Sequence, residues 1–247
     1  MALIRIGTAG WSVPAALKPQ FPNAGTQLEK YAARMNAVEI NSSFYRPHQR
    51  KTYERWAAGV PAAFRFSVKL PRSISHEKRL KDFEAPLTRF LSEVSGLGEK
   101  LGVILVQLPP SLAFDEAAAG ALFAALACGA GCAIACEPRH ASWFSAEAEA
   151  LLLRHGVARV AADPPRHPDD GKPGGARRLT YYRWHGSPRI YWSAYGDDRL
   201  AALVRALHAE KAVETWCIFD NTAAGAALGD ALQMARIIQE KPAISIK

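Results

Sequence analysis

Eight short β-rich segments alternate with helical stretches along the whole chain, and that rhythm limits the possible folds more than any other feature. The strand candidates span residues 4–8, 37–41, 64–70, 102–108, 133–137, 158–162, 180–184 and 215–219. Between them apolar residues recur at helical spacing, as where Leu28, Tyr31, Ala32 and Met35 share one face of a helix predicted over 28–35. Further helices are predicted over 52–59, 86–97, 117–127, 146–155, 200–211 and 227–240. Gly59, Gly98 and Gly156 each follow closely on such a stretch, where glycine suits the turn that ends a helix. A closed (β/α)8 barrel and an open doubly wound sheet both satisfy this alternation. Gly7-Thr8-Ala9-Gly10 behind the first strand is not a GxGxxG turn, and no helix opens directly after it. The reading is therefore an α/β fold, a TIM-type (β/α)8 barrel. No linker divides the 247 residues, so one domain over 1–247 is expected.

The rhythm breaks once. Asp163-Pro164-Pro165-Arg166-His167-Pro168-Asp169-Asp170-Gly171-Lys172-Pro173-Gly174-Gly175 cannot form a regular helix, so an irregular Pro/Gly-rich loop is expected there after the sixth strand. It is either an active-site lid or a mobile loop.

Polar and charged side chains collect where the apolar strands run out. Side chains alternate along a strand, so Glu39 and Asn41 share a face opposite Val38 and Ile40. Lys69 likewise shares a face with Ser67 and Arg65, Glu137 with Arg139, and Arg183 with His185. If the apolar set packs on helices, these groups converge on one interior. Ions are rarely kept there for stability, because desolvating one costs several kcal/mol unless it is well paired.

Composition narrows the partners. With 49% hydrophobic and 22% charged residues the chain reads as an ordinary globular protein. No apolar run approaches the roughly 20 residues a membrane helix needs, and Met1-Ala2-Leu3-Ile4-Arg5-Ile6 enters a strand directly, so no membrane association and a cytoplasmic location are expected. The formal charge of +8 favours anionic partners. Part of it clusters in Arg72, Lys78, Arg79 and Lys81, and part in Arg166, Lys172, Arg177 and Arg178. Cys128, Cys132 and Cys136 lack a CxxC knuckle, and Cys136 and Cys217 fall in apolar strand patterns as small hydrophobes.

Taken together, the strand ends carry a family likeness. Ile6-Gly7-Thr8-Ala9-Gly10-Trp11, Val38-Glu39-Ile40-Asn41-Ser42-Ser43-Phe44-Tyr45 and Phe66-Ser67-Val68-Lys69-Leu70-Pro71 are three of the motifs. Val106-Gln107-Leu108-Pro109-Pro110, Glu137-Pro138-Arg139-His140-Ala141-Ser142-Trp143 and Tyr182-Arg183-Trp184-His185-Gly186 complete the set. In that order they resemble the DUF72 (YecE-like) family from the first strand to the last helix. Two positions depart from the family pattern: Phe219-Asp220-Asn221 stands where Phe-Asn-Asn is usual, and Pro138 intervenes between Glu137 and Arg139. The resemblance implies a TIM-barrel fold, a cytoplasmic setting and a site at these strand ends. It implies no reaction, since the family is one of unknown function.

The residues themselves suggest acid/base chemistry on a small anionic substrate, phosphorylated or carboxylated, sugar-like forms included, at the C-terminal mouth of the barrel. Hydrolase, isomerase and lyase chemistry all remain open. Glu39, Lys69, Glu137 and His185 are the candidate catalytic groups, with His185 suited to proton transfer and Glu39 and Glu137 forming a possible carboxylate pair. Arg139 and Arg183 would clamp the anion while Lys69 serves as point charge or nucleophile. Trp11, Asn41, Tyr45, Gln107, Trp143, Asp220 and Asn221 complete the ligand-binding set. Counted with His185 neutral, Lys69, Arg139 and Arg183 outnumber Glu39 and Glu137. No cofactor is expected. A divalent metal on Glu39, Glu137, Asp163, His185 and Asp220 is disfavoured by the absence of HxH or HExxH and by the cations nearby. The competing reading is a nucleic-acid-binding or metal-dependent phosphodiesterase-like barrel, suggested by the basic segments and by Tyr191, Trp192 and Tyr195. Oligomeric state is not encoded legibly.

Overall fold

The computed structural model describes residues 3–210 and 212–240. Its strands are β1 (Leu3–Thr8), β2 (Ala37–Ile40), β3 (Arg65–Lys69), β4 (Leu101–Gln107), β5 (Ala133–Glu137), β6 (Val157–Arg159), β7 (Ala161–Asp163), β8 (Gly174–Gly175), β9 (Leu179–Trp184) and β10 (Glu214–Phe219). The helices are α1 (Gln27–Ala32), α2 (Ser42–Tyr45), α3 (Arg50–Ala58), α4 (Glu84–Val94), α5 (Glu116–Gly129), α6 (Ala146–Arg154), α7 (Asp197–Ala209) and α8 (Ala226–Glu240). Each predicted helix is found with its ends moved by a few residues. The helix expected over 200–211 starts earlier and stops at Ala209, and Lys211 lies outside the described residues.

Local chemistry explains the helix starts. Thr26 and Glu29 form a reciprocal capping box on α1, and Asp115 accepts from the Ala118 N–H at the start of α5. Ser145 caps α6 in the same way.

The strands pair as two sheets of mixed α/β architecture. One has the order β1-β10-β9-β7, and the other β2-β3-β4-β5-β6-β8. Every pairing is parallel except the short antiparallel β6–β8 contact. The sheets meet at two seams. At the first, Ala9 bridges Glu39 in parallel, and the Tyr31 hydroxyl accepts from the Thr8 N–H while donating to the Ala37 carbonyl. Gly7 makes this approach possible, since a Cβ there would sit 2.2 Å from the Ala37 oxygen. At the second seam β6 runs on into β7 through Val160, so the sixth strand leaves one sheet and joins the other.

Residues 164–173 contain no helix, and the segment is tied down. Arg159 donates to the Asp169 carbonyl at 2.9 Å, and Ala162 N–H donates to the Asp170 carbonyl at 2.8 Å.

Burial separates the two faces of the strands. Val38, Ile40, Phe66, Val68, Ile104, Val106, Ile134, Cys136 and Cys217 pack in the large core shared with the helices. The opposite face holds a smaller apolar cluster, including Ala37, Val103, Leu105, Ala135, Tyr181, Trp216 and Ile218. Towards the C-terminal strand ends this second face turns polar: Glu39, Ser67, Lys69, Gln107, Glu137 and Arg183 are all buried there. Among the described residues no helix is long and apolar enough to cross a membrane.

Candidate functional site

Arg183 is the hub of that polar layer. It lies on β9 between Tyr181 and His185, and it is 0% exposed. All five of its N–H donors are used. Nε donates to Glu39 at 3.0 Å, Nη1 to Glu137 at 2.5 Å and to Gln107 at 3.3 Å, and Nη2 to Glu39 at 2.8 Å and Asp220 at 2.9 Å. The Tyr181 hydroxyl donates to Glu39 and accepts from the Ser67 hydroxyl, both at 2.9 Å. A buried guanidinium is tolerable only with such complete pairing, and here three carboxylates supply it.

His185 sits between two of those carboxylates. Nδ1 is 3.1 Å from Asp220 and Nε2 is 3.1 Å from Glu137. Burial disfavours a charged imidazole, but Glu137 and Asp220 outweigh it and raise the His185 pKa above its ordinary 6.5. Burial likewise opposes charge on Glu137, yet Arg183, Arg139 and His185 hold that carboxyl well below the usual range. Arg183 and His185 lower the Asp220 carboxyl against the opposing effect of its burial.

A raised folded-state pKa means that the His185 contribution to stability is fully present below pH 6.5 and fades as pH rises through the raised value. The imidazole resonances should therefore titrate above 6.5, and His185→Gln should lose more stability at pH 6 than at pH 9. A neutral His185 ring at pH 6 in an NMR titration contradicts this arrangement.

Above the hub opens a cavity of about 650 Å³, within the range of small-molecule sites. Asn41, Lys69, His76, Gln107, Arg139 and Asp220 are among its polar lining residues. Phe44, Tyr45 and Tyr191 supply aromatic walls. α2 places Phe44 and Tyr45 here because the Ser43 hydroxyl shares its one proton between the Lys69 carbonyl at 2.7 Å and the Ile40 carbonyl at 3.0 Å, pinning the turn onto β3.

Three ionic groups of the lining keep free valence towards the cavity. Lys69 Nζ makes no hydrogen bond to a described residue and rests 4.3 Å from the centre of the Phe44 ring. Burial first, and then the Arg183 charge, push the Lys69 amine down to about 8. Arg139 uses Nε and Nη2 on Glu137 and Gln107, with Tyr191 at 3.5 Å, while its Nη1 has no partner among the described residues. Asp220 gives Oδ2 to Arg183 and His185, and its Oδ1 makes no hydrogen bond to a described residue. Asn41 Oδ1 is also buried without a partner. His76, pushed down to about 4 by burial and by Lys69, Arg139 and Arg72, is a neutral wall at pH 7.

The structure thus divides the sequence-derived set into layers. Lys69, Arg139, Gln107, Asn41, Tyr45 and Asp220 line the cavity. Glu39 and Arg183 are sealed beneath it, each 0% exposed, so neither can clamp a ligand or act on one. Glu39 and Glu137 both turn to Arg183, which corrects their reading as a carboxylate pair flanking a substrate. His185 has both ring nitrogens engaged by carboxylates, so neither is free to act as a base on a ligand. Trp143 is a core residue: it is 1% exposed, and its indole N–H donates to the Leu112 carbonyl at 3.0 Å. Trp11 stacks edge-on against Trp56 outside the cavity lining. Asn221 is fully buried and donates to Asp230 and Ser193, so it positions the loop behind the site. The charge count also changes. Adding Asp220 gives three cations against three carboxylates, so the balance is even until His185 takes a proton. Asp163 of the metal-ligand set pairs with Arg199, and among the described residues no group of three His, Cys, Asp or Glu side chains is arranged to hold a metal ion.

His76 and Tyr191 were absent from the sequence-derived ligand set. His76 lies in the turn Ser73–Glu77 behind β3, inside the basic cluster already noted. Tyr191 has a φ of +69°, unusual for a bulky residue, and its ring sits edge-on to His185.

Comparison with known proteins gives a consistent result. Residues 5–246 match the family model described as Protein of unknown function DUF72. The chain is 34% identical to UPF0759 protein YecE of Escherichia coli over 43% of its own length, a match spanning 38% of that protein. It is 22% identical to UPF0759 protein YunF of Bacillus subtilis over 96% of the chain and 95% of that protein. Its fold is similar to the crystal structure of a DUF72 family protein from Enterococcus faecalis, with a TM-score of 0.79 at 22% identity over 96% of both chains. A DUF72 family protein from Thermotoga maritima gives 0.77 at 24% identity, over 96% of this chain and 99% of that one. A xylose isomerase-like TIM barrel/4-hydroxyphenylpyruvate dioxygenase fusion protein gives 0.54 at 15% identity, over 96% of this chain and 42% of that one, in keeping with a TIM-barrel-like fold.

Proposed function

The chain belongs to the DUF72 family of proteins of unknown function, and from that premise we propose that it is an enzyme acting by acid/base chemistry on a small anionic substrate. In this reading eight strands, with β6 and β7 counted as one and the two-residue β8 left out, close into a single-domain barrel. The cavity is then its C-terminal mouth, where such barrels carry their chemistry. The single observation that carries the reading is the contrast between a fully paired hub and three open ionic groups lining one cavity. Arg139 Nη1 and Lys69 Nζ receive the anionic end of the substrate. Asp220 Oδ1 and Lys69 exchange the proton, the Lys69 amine being pushed down to about 8.

A nucleic-acid surface is less well supported, because the basic residues at the mouth are partly neutralised. Arg72 is paired with Glu77 at 2.9 Å, and Arg79 is turned onto Ser111.

Titration of small carboxylates and phosphate esters tests the proposal. Arg139→Ala should weaken binding by roughly 10- to 100-fold, the scale of a lost charge-assisted hydrogen bond. Affinity should also fall as pH rises through about 8 and the Lys69 ammonium is lost. Equal affinity in wild type and Arg139→Ala overturns the anion site.

A further inference from the structure

Lysines that serve only as point charges are ordinarily held by a carboxylate or a carbonyl, and Lys69 is held by neither. Its Nζ rests on the Phe44 ring and faces the cavity with no acceptor among the described residues. Asp220 lines the same cavity, yet the oxygen it has committed goes to Arg183 and His185 rather than to Lys69. An amine packed on an aromatic ring, without an acceptor to hold its proton, is set up to react through its lone pair. A cationic anchor, Arg139, lines the same cavity with an unused nitrogen.

We propose that Lys69 is a covalent nucleophile that forms a Schiff base with the carbonyl carbon of a small anionic aldehyde or ketone, such as a 2-oxo acid or a phosphorylated ketose fragment. This rests on the anion site described above, and it names the substrate class of that site. The neutral amine adds to the carbonyl carbon, forming the C–N bond as the C=O π electrons pass to oxygen. That oxygen takes one proton from the nitrogen and a second from Asp220 Oδ1, whose carboxylate first received it from the Lys69 ammonium as the amine became neutral. Water then leaves, the nitrogen lone pair forms C=N, and the product is an iminium on Lys69. No oxidant or reductant is needed. Arg139 pairs with the carboxylate or phosphate and fixes which carbonyl carbon meets Nζ. The iminium then withdraws electrons from the adjacent carbon–hydrogen or carbon–carbon bond, which suits lyase or isomerase chemistry.

The test is reductive trapping. The full-length protein is incubated separately with pyruvate, glyoxylate and dihydroxyacetone phosphate, sodium borohydride is added, and the peptides are mapped by mass spectrometry. The expected result is a reduced adduct on the Lys69 peptide with at least one probe, far above any surface lysine. It should be lost in Lys69→Arg and diminished in Arg139→Ala. Melting curves of both variants establish that they are folded, and the wild-type arm stands without them. Absence of a Lys69 adduct with all three probes, or labelling no greater than at surface lysines, overturns the Schiff base. If those probes still raise the melting temperature in an Arg139-dependent way, the anion site survives that failure. If they do not, both readings fall together.

Discussion

Arg183→Met should be the most damaging single substitution in the chain, lowering stability by about 3–5 kcal/mol or preventing folding altogether. Methionine fills much of the volume but leaves Glu39, Glu137 and Asp220 facing one another with no guanidinium between them. Glu39 is 0% exposed and Glu137 1%, so water cannot replace the lost donors. Arg183→Lys should rescue little, because one ammonium cannot reproduce five N–H bonds directed to four side chains. Adding Glu39→Gln to Arg183→Met should recover part of the loss by removing one stranded charge. Denaturant unfolding measures both effects, and a loss under about 1 kcal/mol would mean that the hub is not what holds this layer together.

Lys69→Met should do the opposite, raising stability while abolishing anion binding. The amine titrates near 8 in the fold against an ordinary 10.5, so its charge is carried at pH 7 at a stability cost of up to about 3 kcal/mol. Between those two values the unfolded chain binds more protons than the folded one, so wild-type stability rises with pH across that window. The advantage of Lys69→Met should therefore be largest below pH 8 and shrink towards pH 10.5. A variant that gains stability and loses ligand is the mark of a group kept for chemistry. Loss of stability at pH 7 on this substitution, with anion binding retained, would instead make Lys69 a structural residue.

Much of this was legible in the sequence because one rule, side-chain alternation, places whole sets of residues on one face. It put Glu39, Lys69, Glu137, Arg183 and His185 together, and hydrogen bonds or a shared cavity join them in the structure. Alternation does not give depth. Glu39 is registered with Ser67, two residues below Lys69, and so falls under the cavity rather than on it. Gln107 pairs with Glu137 and reaches higher. Strand stagger fixes these layers, and no local pattern encodes it. Trp143 and Asn221 fail for another reason. Each follows a strand end, but the direction of its side chain is set by the chain beyond: the turn Ala141–Phe144 folds Trp143 onto Phe114 and Phe123, and α8 brings Asp230 to Asn221. The fully committed donors of Arg183 could not be foreseen either, since an arginine reads the same whether it is paired or open. Asp220, by contrast, announced itself by standing where the family usually has an amide. In the structure its second oxygen bridges Arg183 and His185.

The protonation midpoint of the Lys69 amine tests the central claim most directly. Heteronuclear NMR of the lysine side chains, assigned with Lys69→Arg, follows that one group through the alkaline range with and without a small carboxylate or phosphate ester. The account predicts a midpoint near 8 in the free protein and an upward move when the anion binds and stabilises the ammonium. A midpoint at the ordinary 10.5, unmoved by any anion, would contradict an open, desolvated amine in the cavity.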